Sequence, residues 1–142
     1  MEIKKITDKV SVSPQITASD ISEIKEAGYR AIICNRPDGE GSDQPSFEEI
    51  EKAAKKAGLV AAYLPVETGM VTDENVVEFG NIVKDLPRPL LGYCRSGTRS
   101  ATLWSLHEAQ KRPLPEILAA TKAAGYDMNG VARRVANGGK TP

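Results

Sequence analysis

Residues 89–104 read PLLGYCRSGTRSATLW, and this stretch decides the fold that we predict. The apolar run PLLGY is typical of a buried strand, and a short loop of small and basic residues follows it. A helical pattern then begins within residues 97–111. A buried strand that leads directly into a helix is the repeating unit of parallel α/β sheets. The stretch therefore predicts a strand, a tight loop with Cys94 at its start, and a helix.

The rest of the chain repeats this alternation of short apolar runs and helical patterns. Strands are predicted at residues 6–13, 31–34, 59–66 and 89–93, and the other helices at 17–28, 46–58, 73–85, 115–123 and 128–136. In the helix over 73–85 five apolar side chains are expected to face inward: Val76, Val77, Phe79, Ile82 and Val83. The alternation predicts a three-layer α/β fold, a mostly parallel sheet of four to five strands with helices on both faces. We expect one domain over residues 1–136 and a flexible tail over 137–142.

Composition bounds the class of function. Lys and Arg number 19 and Asp and Glu number 19, so the chain has no overall charge with which to attract nucleic acid or an anionic membrane. The N-terminus lacks the apolar core of a signal peptide, and no apolar run approaches the ~20 residues of a membrane span. Two cysteines and one histidine cannot form an ordinary closed zinc site. We therefore expect a cytoplasmic protein that needs no metal and no cofactor.

The loop after the strand at 89–93 holds the candidate active site. Ligands of open α/β sheets bind outside the carboxyl ends of the strands, and Cys94 falls at such an end. Gly97 permits a tight curl in which successive N–H groups form an anion nest at a helix N-terminus. The same field lowers a thiol pKa from ~8.5 toward ~3.5–7.5. Cys94 and Arg99 are the predicted catalytic residues, and the predicted anion-binding loop comprises Arg95, Ser96, Gly97, Thr98 and Ser100.

Residues outside the loop are expected to complete the pocket. Arg36 follows the strand at 31–34 and either lines the mouth of the pocket or pairs with an acidic residue of its turn. Glu67 and Thr68 follow the strand at 59–66 and are expected to form the wall opposite the loop.

Several motifs resemble a known family. AIICNRPDGE, AAYLPVETG and PLLGYCRSGTRS follow one another as in the dual-specificity phosphatase fold. The NRPDGE turn, the PVETG segment and AGYDMNG are similar to the phosphatase-like domain of bacterial beta-lactamase hydrolase-like proteins. The resemblance covers about residues 3–135. It implies a dual-specificity-phosphatase-like fold and a role in sulfide metabolism, because this domain is often joined to, or encoded beside, persulfide-oxidising partners.

Two features depart from the pattern of true phosphatases. Their signature is a histidine, the cysteine, five residues and an arginine, whereas here Tyr93 precedes Cys94 and only four residues separate Cys94 from Arg99. The loop CRSGTRS is similar to the shorter loop of rhodanese-type sulfurtransferases. Where dual-specificity phosphatases place a catalytic aspartate, this chain has Thr68 beside Glu67. Alkyl phosphate cleavage gains ~10²–10⁴-fold from such an acid, but thiosulfate releases sulfite, which needs no proton.

These departures favour a cysteine-dependent sulfurtransferase that forms a Cys94 persulfide. The donor would be thiosulfate or a persulfide, the acceptor a thiol such as glutathione, and the partner a persulfide dioxygenase or another sulfide-oxidising enzyme. The alternative is a phosphatase with a Cys94 phosphocysteine, for which Glu67, Asp38 or Asp73 could supply the acid. A third hypothesis is a redox-sensing or docking module. The resemblance also places the strand that ends at Cys34 beside the catalytic strand, so Cys34 is either a core residue or a resolving thiol.

Overall fold

Five strands and six helices make up the molecule, and their order confirms the predicted α/β class. The computed structural model describes residues 1–142. The strands are β1 (Lys4–Lys5), β2 (Val10–Ser13), β3 (Ala31–Cys34), β4 (Val60–Tyr63) and β5 (Leu90–Tyr93). The helices are α1 (Ile21–Glu26), α2 (Phe47–Lys56), α3 (Asp73–Val83), α4 (Thr98–Glu108), α5 (Leu114–Ala123) and α6 (Ala132–Ala136), with short 3₁₀ turns at Ala18–Asp20 and Asn129–Val131.

The sheet has the strand order β1-β2-β5-β3-β4, and every pair except β1 with β2 is parallel. The central strands β3 and β5 are buried along their whole length, as apolar runs covered on both faces are in parallel sheets. Tyr93 at the end of β5 pairs in register with Ser13 of β2 and Cys34 of β3. The loops that follow these three strands therefore emerge side by side at one edge of the sheet.

Helices cover both faces of the sheet because neighbouring residues of each strand point to opposite sides. Ile32 of β3 packs in a cluster with Ile24 of α1 and Ile50 of α2. The next residue, Ile33, packs in a second cluster with Phe79 of α3 and Leu103 of α4. All six are nearly or completely buried, with Phe79 the most exposed at 3%. This packing fixes α4, and with it the loop that precedes α4, against the centre of the sheet.

The structure differs from the predicted elements at four places. The strand predicted at 6–13 begins only at Val10, because the hydroxyl of Thr7 accepts hydrogen bonds from the backbone of Lys9 and Val10 and closes a turn. Strand β1 was missed, since two exposed lysines carry no apolar signal. The strand predicted at 59–66 is limited to β4. Val77, expected to face inward, is 63% exposed, because α3 turns only one side toward the sheet.

The last residues of the chain contact the body of the domain. The backbone N–H and the hydroxyl of Thr141 both donate to the carboxylate of Asp73 at the start of α3. The flexibility expected for residues 137–142 stays a prediction. None of the helices has the length and apolar composition needed to cross a membrane.

Candidate active site

Cys94 lies directly after β5, at the edge where the loops converge. Cys94 is fully buried, and the backbone N–H of Gly97 donates to the Cys94 Sγ at 3.1 Å. Gly97 has φ 95° and ψ −11°, a left-handed conformation that turns the chain sharply into α4. The sulfur thus accepts a hydrogen bond from the turn that starts the helix, an arrangement that favours a negatively charged sulfur.

Two carbonyl groups of the loop are held from outside. The Arg95 carbonyl accepts from the backbone N–H of Gln15, which follows β2, at 3.2 Å. The Ser96 carbonyl accepts from the hydroxyl of Tyr126, which follows α5, at 2.9 Å. In a trans peptide the N–H points opposite to the C=O, so these contacts direct the next N–H groups toward the inside of the loop. Neighbouring elements thereby fix the curl of the loop.

Several backbone N–H groups of this region have no acceptor within the protein, among them those of Ser96, Arg99 and Ser100. Unpaired N–H groups at the start of a helix are the usual donors for a bound anion. The side chain of Ser100 is not among these donors, because its Oγ donates to Asn35 Oδ1 at 2.7 Å. Asn35 in turn donates to the carbonyl of Leu64 at 3.0 Å. Ser100 therefore offers its backbone, not its hydroxyl, to the site.

Arg99 is held by a carboxylate that the sequence analysis missed. Its two terminal nitrogens donate to Glu40 at 2.7 and 2.8 Å, and one of them also donates to the Val66 carbonyl at 2.8 Å. Arg36 donates to the same carboxylate at 2.9 Å. Hydrogen bonds from Arg99, and then from Arg36, lower the pKa of Glu40 to about 2. The hydrogen bonds to Glu40 in turn raise the pKa of Arg99, so the Arg99 guanidinium and the Glu40 carboxylate both stay charged.

Of the two roles left open for Arg36, the structure places it in an ion pair. Its side chain is 10% exposed and bonds to Glu40, four residues further along the chain. Glu40 lies in the loop that was interpreted only as a turn. The i,i+4 spacing from Arg36 was the single signal that could have found it. Its contact with Arg99 spans 59 residues, and no local pattern predicts such a contact.

A cavity of about 560 Å³ adjoins the loop. It is lined by three arginines, Arg95, Arg99 and Arg134, and by the hydroxyl-bearing residues Thr68, Ser96, Thr98 and Thr102, with Gly69, Val71 and Val131. Thr68 thus lies where the sequence analysis expected it, whereas Glu67 does not line the cavity. No carboxylate is among the lining residues. The cavity is suited to an anionic ligand.

The three candidate acids differ in their surroundings. Asp38 accepts from the backbone N–H of Phe47, the first residue of α2, at 2.8 Å. Asp73 accepts from Arg134 at 3.0 Å and from Thr141. Glu67 is exposed beside the cavity. Asp38 and Asp73 therefore have hydrogen-bond partners within the protein, and of the three only the Glu67 carboxylate has none.

Arg134 is a second residue that sequence reasoning missed. It donates to the Val71 carbonyl at 2.7 Å and to Asp73, which ties α6 to the segment before α3. Its Nε is buried without a hydrogen-bond partner. Because Arg134 lies far along the chain from the loop at Cys94, only the tertiary fold brings the two to one cavity.

Cys34 and Tyr93 lie beside the site in the buried layer. The Cys34 thiol donates to the Arg36 carbonyl at 3.3 Å, and burial raises the pKa of Cys34. Burial also raises the pKa of Tyr93, the residue that stands where phosphatases have histidine. Both cysteines are free thiols in the structure. A resolving role for Cys34 stays a prediction.

Fold and site together define a class. A cysteine at the carboxyl end of a central parallel strand, beneath an amide-rich loop that leads to an arginine on the next helix, is the arrangement of a phosphatase-like, cysteine-dependent α/β domain. Residues 2–111 match the family described as beta-lactamase hydrolase-like protein, phosphatase-like domain, and the chain belongs to this family. The predicted resemblance is confirmed.

Similar proteins support the same assignment. The chain is 31% identical over 130 residues to a beta-lactamase hydrolase-like protein of Xylella fastidiosa (strain Temecula1), covering 90% of this chain but 30% of that protein. It therefore spans less than a third of the length of that relative. A crystal structure from Neisseria meningitidis Z2491, provisionally named as a phosphatase, has 34% identity and a TM-score of 0.86, with 97% and 99% of the two chains covered.

A more distant structure supports the fold alone. The core catalytic domain of a PP-IP phosphatase from S. cerevisiae has 13% identity and a TM-score of 0.70, with 95% of this chain and 83% of that chain covered. The predicted dual-specificity-phosphatase-like fold is confirmed. The names of these similar proteins favour the phosphatase alternative over sulfur transfer.

Proposed function

We propose that this domain is a sulfurtransferase in which Cys94 takes a sulfane sulfur from thiosulfate or a persulfide and passes it to a thiol. The observation that carries the proposal is the composition of the cavity at the loop: arginines and hydroxyls, without a carboxylate. Such a site stabilises negative charge but has no positioned proton donor. It fits a reaction whose leaving group departs as a stable anion.

In the first step the Cys94 thiolate attacks the outer sulfur of thiosulfate. A sulfur–sulfur bond forms to Cys94, the sulfur–sulfur bond of thiosulfate breaks, and its electron pair leaves with sulfite. No proton moves. In the second step an acceptor thiolate attacks the outer sulfur of the Cys94 persulfide and restores the Cys94 thiolate. The two half-reactions predict ping-pong kinetics.

The residues around Cys94 support both steps electrostatically. The N–H of Gly97 donates to the sulfur, and the unpaired N–H groups of Ser96 and Ser100 can donate to the oxygens of a bound anion. A guanidinium has five N–H groups. In Arg99 two of them donate to Glu40 and one donates to the Val66 carbonyl, so two remain for the substrate. Glu40 keeps this guanidinium oriented.

The persulfide-oxidising partner implied by the resemblance belongs to the same proposal. A domain that spans less than a third of its curated relative leaves room for a partner activity in such longer proteins. A persulfide dioxygenase would consume the persulfide of the acceptor thiol, which is the product of the second step.

Phosphate ester hydrolysis is the second candidate, and the similar proteins favour it. The family is described as phosphatase-like, and the similar structure from Neisseria is provisionally named as a phosphatase. This reaction would transfer a phosphoryl group to Cys94 and would require Glu67, the exposed carboxyl beside the cavity, to protonate the leaving group. The shorter loop, with four residues between Cys94 and Arg99, speaks against it.

A paired assay distinguishes the two candidates. Wild-type protein and Cys94→Ser are tested for sulfite release from thiosulfate, with glutathione or cyanide as acceptor, and for hydrolysis of p-nitrophenyl phosphate. We expect sulfite release that requires Cys94 and negligible phosphate hydrolysis. Hydrolysis that requires Cys94, without sulfite release, would instead establish the phosphatase reaction. Absence of both activities would favour the redox-sensing or docking module.

A further inference from the structure

The peptide group between Ser96 and Gly97 connects Cys94 to Tyr126. Its N–H belongs to Gly97 and donates to Cys94 Sγ at 3.1 Å. Its C=O belongs to Ser96 and accepts from the Tyr126 hydroxyl at 2.9 Å. The two groups point in opposite directions within one planar unit. Tyr126 therefore holds the outer end of the peptide group whose inner end contacts the sulfur.

This peptide group needs an external anchor. Its plane can rotate about the bonds of Ser96 and Gly97, and glycine adopts positive and negative φ about equally readily. Gly97 has φ 95° here, and as a glycine it has no Cβ that would restrain the rotation. If the peptide turned over, the Ser96 carbonyl oxygen would face the sulfur and repel a thiolate. A hydrogen bond to that carbonyl decides which end of the peptide Cys94 meets.

Tyr126 is in turn fixed at the end of α5. Its backbone N–H donates to the Thr121 carbonyl at 2.9 Å, and its ring packs against the apolar cluster that includes Ala101 and Met128. A Cβ added to Gly97 would overlap the Tyr126 hydroxyl, so the hydroxyl lies directly against the turn. The segment AGYDMNG, which contributed only to the family resemblance, thus reaches the active-site loop.

We propose that Tyr126 is a positioning residue that keeps the Ser96–Gly97 peptide turned toward Cys94 and so maintains the reactive thiolate. The proposal rests on the proposed function only in taking Cys94 as the reacting group. It applies to sulfur transfer and to phosphate hydrolysis alike. It assigns no contact between Tyr126 and the substrate.

Tyr126→Phe tests the proposal, because it removes one hydroxyl and keeps the ring. The thiolate absorbance of Cys94 is titrated as the difference between each protein and its Cys94→Ser derivative. We expect the titration to move toward higher pH, because the Gly97 N–H that stabilises the charged sulfur is no longer held in place. The catalytic rate at neutral pH should fall about 5- to 10-fold and recover above the new midpoint.

Tyr29→Phe is the matched control. It also removes a partly buried hydroxyl contact, the 2.7 Å bond from Tyr29 to Ser11, but away from the loop. Its titration and its pH–rate profile should match those of the wild type. A folded Tyr126→Phe protein with a wild-type titration overturns the proposal. So does a loss of rate that does not recover at high pH, since that outcome indicates a merely structural role.

A measurement on the unaltered chain covers the case in which Tyr126→Phe fails to fold. The amide ¹⁵N resonance of Gly97 should titrate together with Cys94 and stay constant in Cys94→Ser. A Gly97 resonance whose chemical shift does not change when Cys94 ionises overturns the proposal. The titrations do not depend on which group is transferred, so a failure of the proposed function is seen separately, in the paired activity assay.

Discussion

The two cysteines lie at the ends of neighbouring parallel strands, yet their sulfurs have opposite surroundings. Cys34 ends β3 and donates its thiol proton to the Arg36 carbonyl. Cys94 follows β5 and accepts a hydrogen bond from the Gly97 N–H. A donor thiol must keep its proton, whereas an acceptor sulfur is stabilised when the proton leaves. Both residues are buried, so exposure does not distinguish them.

The backbone after each strand creates this difference. After β5 the chain turns at Gly97 directly into α4, so N–H groups face the sulfur. After β3 the chain enters a loop of more than ten residues before α2, and a carbonyl faces the thiol. Glu40 joins the two regions, because it binds Arg36 from one loop and Arg99 from α4. The two sulfurs therefore differ in the direction of the neighbouring peptide groups, although the residue type is the same.

Replacing each cysteine separately should produce the largest contrast. Cys94→Ser removes the nucleophile and should lower kcat/KM at least about 10³-fold. Cys34→Ser keeps the loop at Cys94 intact and should stay within about threefold of wild type. Sulfite release under identical conditions measures both. A large loss in Cys34→Ser, with the fold intact, would instead support the resolving-thiol role.

Releasing Arg99 should have the next largest effect. Glu40→Gln removes the charge that orients Arg99, and hydrogen bonds to charged groups contribute about 1.5–3 kcal/mol. We expect kcat/KM to fall about 10- to 100-fold. Glu48→Gln, the same charge change on the exposed start of α2, is the control and should be neutral. Equal activity of both variants would show that Arg99 needs no carboxylate to hold it.

Two adjacent arginines test the cavity. Arg134 lines it and bonds to Val71 and Asp73, whereas Arg133 is exposed and lies outside the lining. Arg134→Gln should raise the KM for an anionic donor about fivefold, the equivalent of about one hydrogen bond. Arg133→Gln should leave it unchanged. A similar rise in both would mean that general charge attraction, and not the cavity, determines affinity.

Acid should remove the contribution of Glu40 to stability. Its pKa falls from an ordinary value of 4.5 to about 2 in the folded protein, so the stabilisation is complete above about pH 4.5 and is lost as the pH falls toward 2. Urea unfolding of wild type and Glu40→Gln should therefore differ near neutral pH and converge toward pH 2. A difference that stays constant with pH would contradict this ionisation.

Much of the fold followed from local patterns. The apolar runs at 31–34 and 89–93 predicted β3 and the core of β5 because buried parallel strands leave a continuous apolar signal. The position of the cysteine loop followed from the same strand-to-helix transition. Strand β1 could not be predicted, since it consists of two exposed lysines that gain a partner only when β2 lies beside them.

The sequence by itself determined the α/β class, the order of the elements and the place of Cys94, because each depends on residues close together in the chain. Only the tertiary structure decided the surroundings of that cysteine. Glu40 reaches Arg99 across 59 residues, and Tyr126 reaches Ser96 across 30. Contacts at such separation depend on how helices and loops pack on the sheet, and no local periodicity encodes that packing.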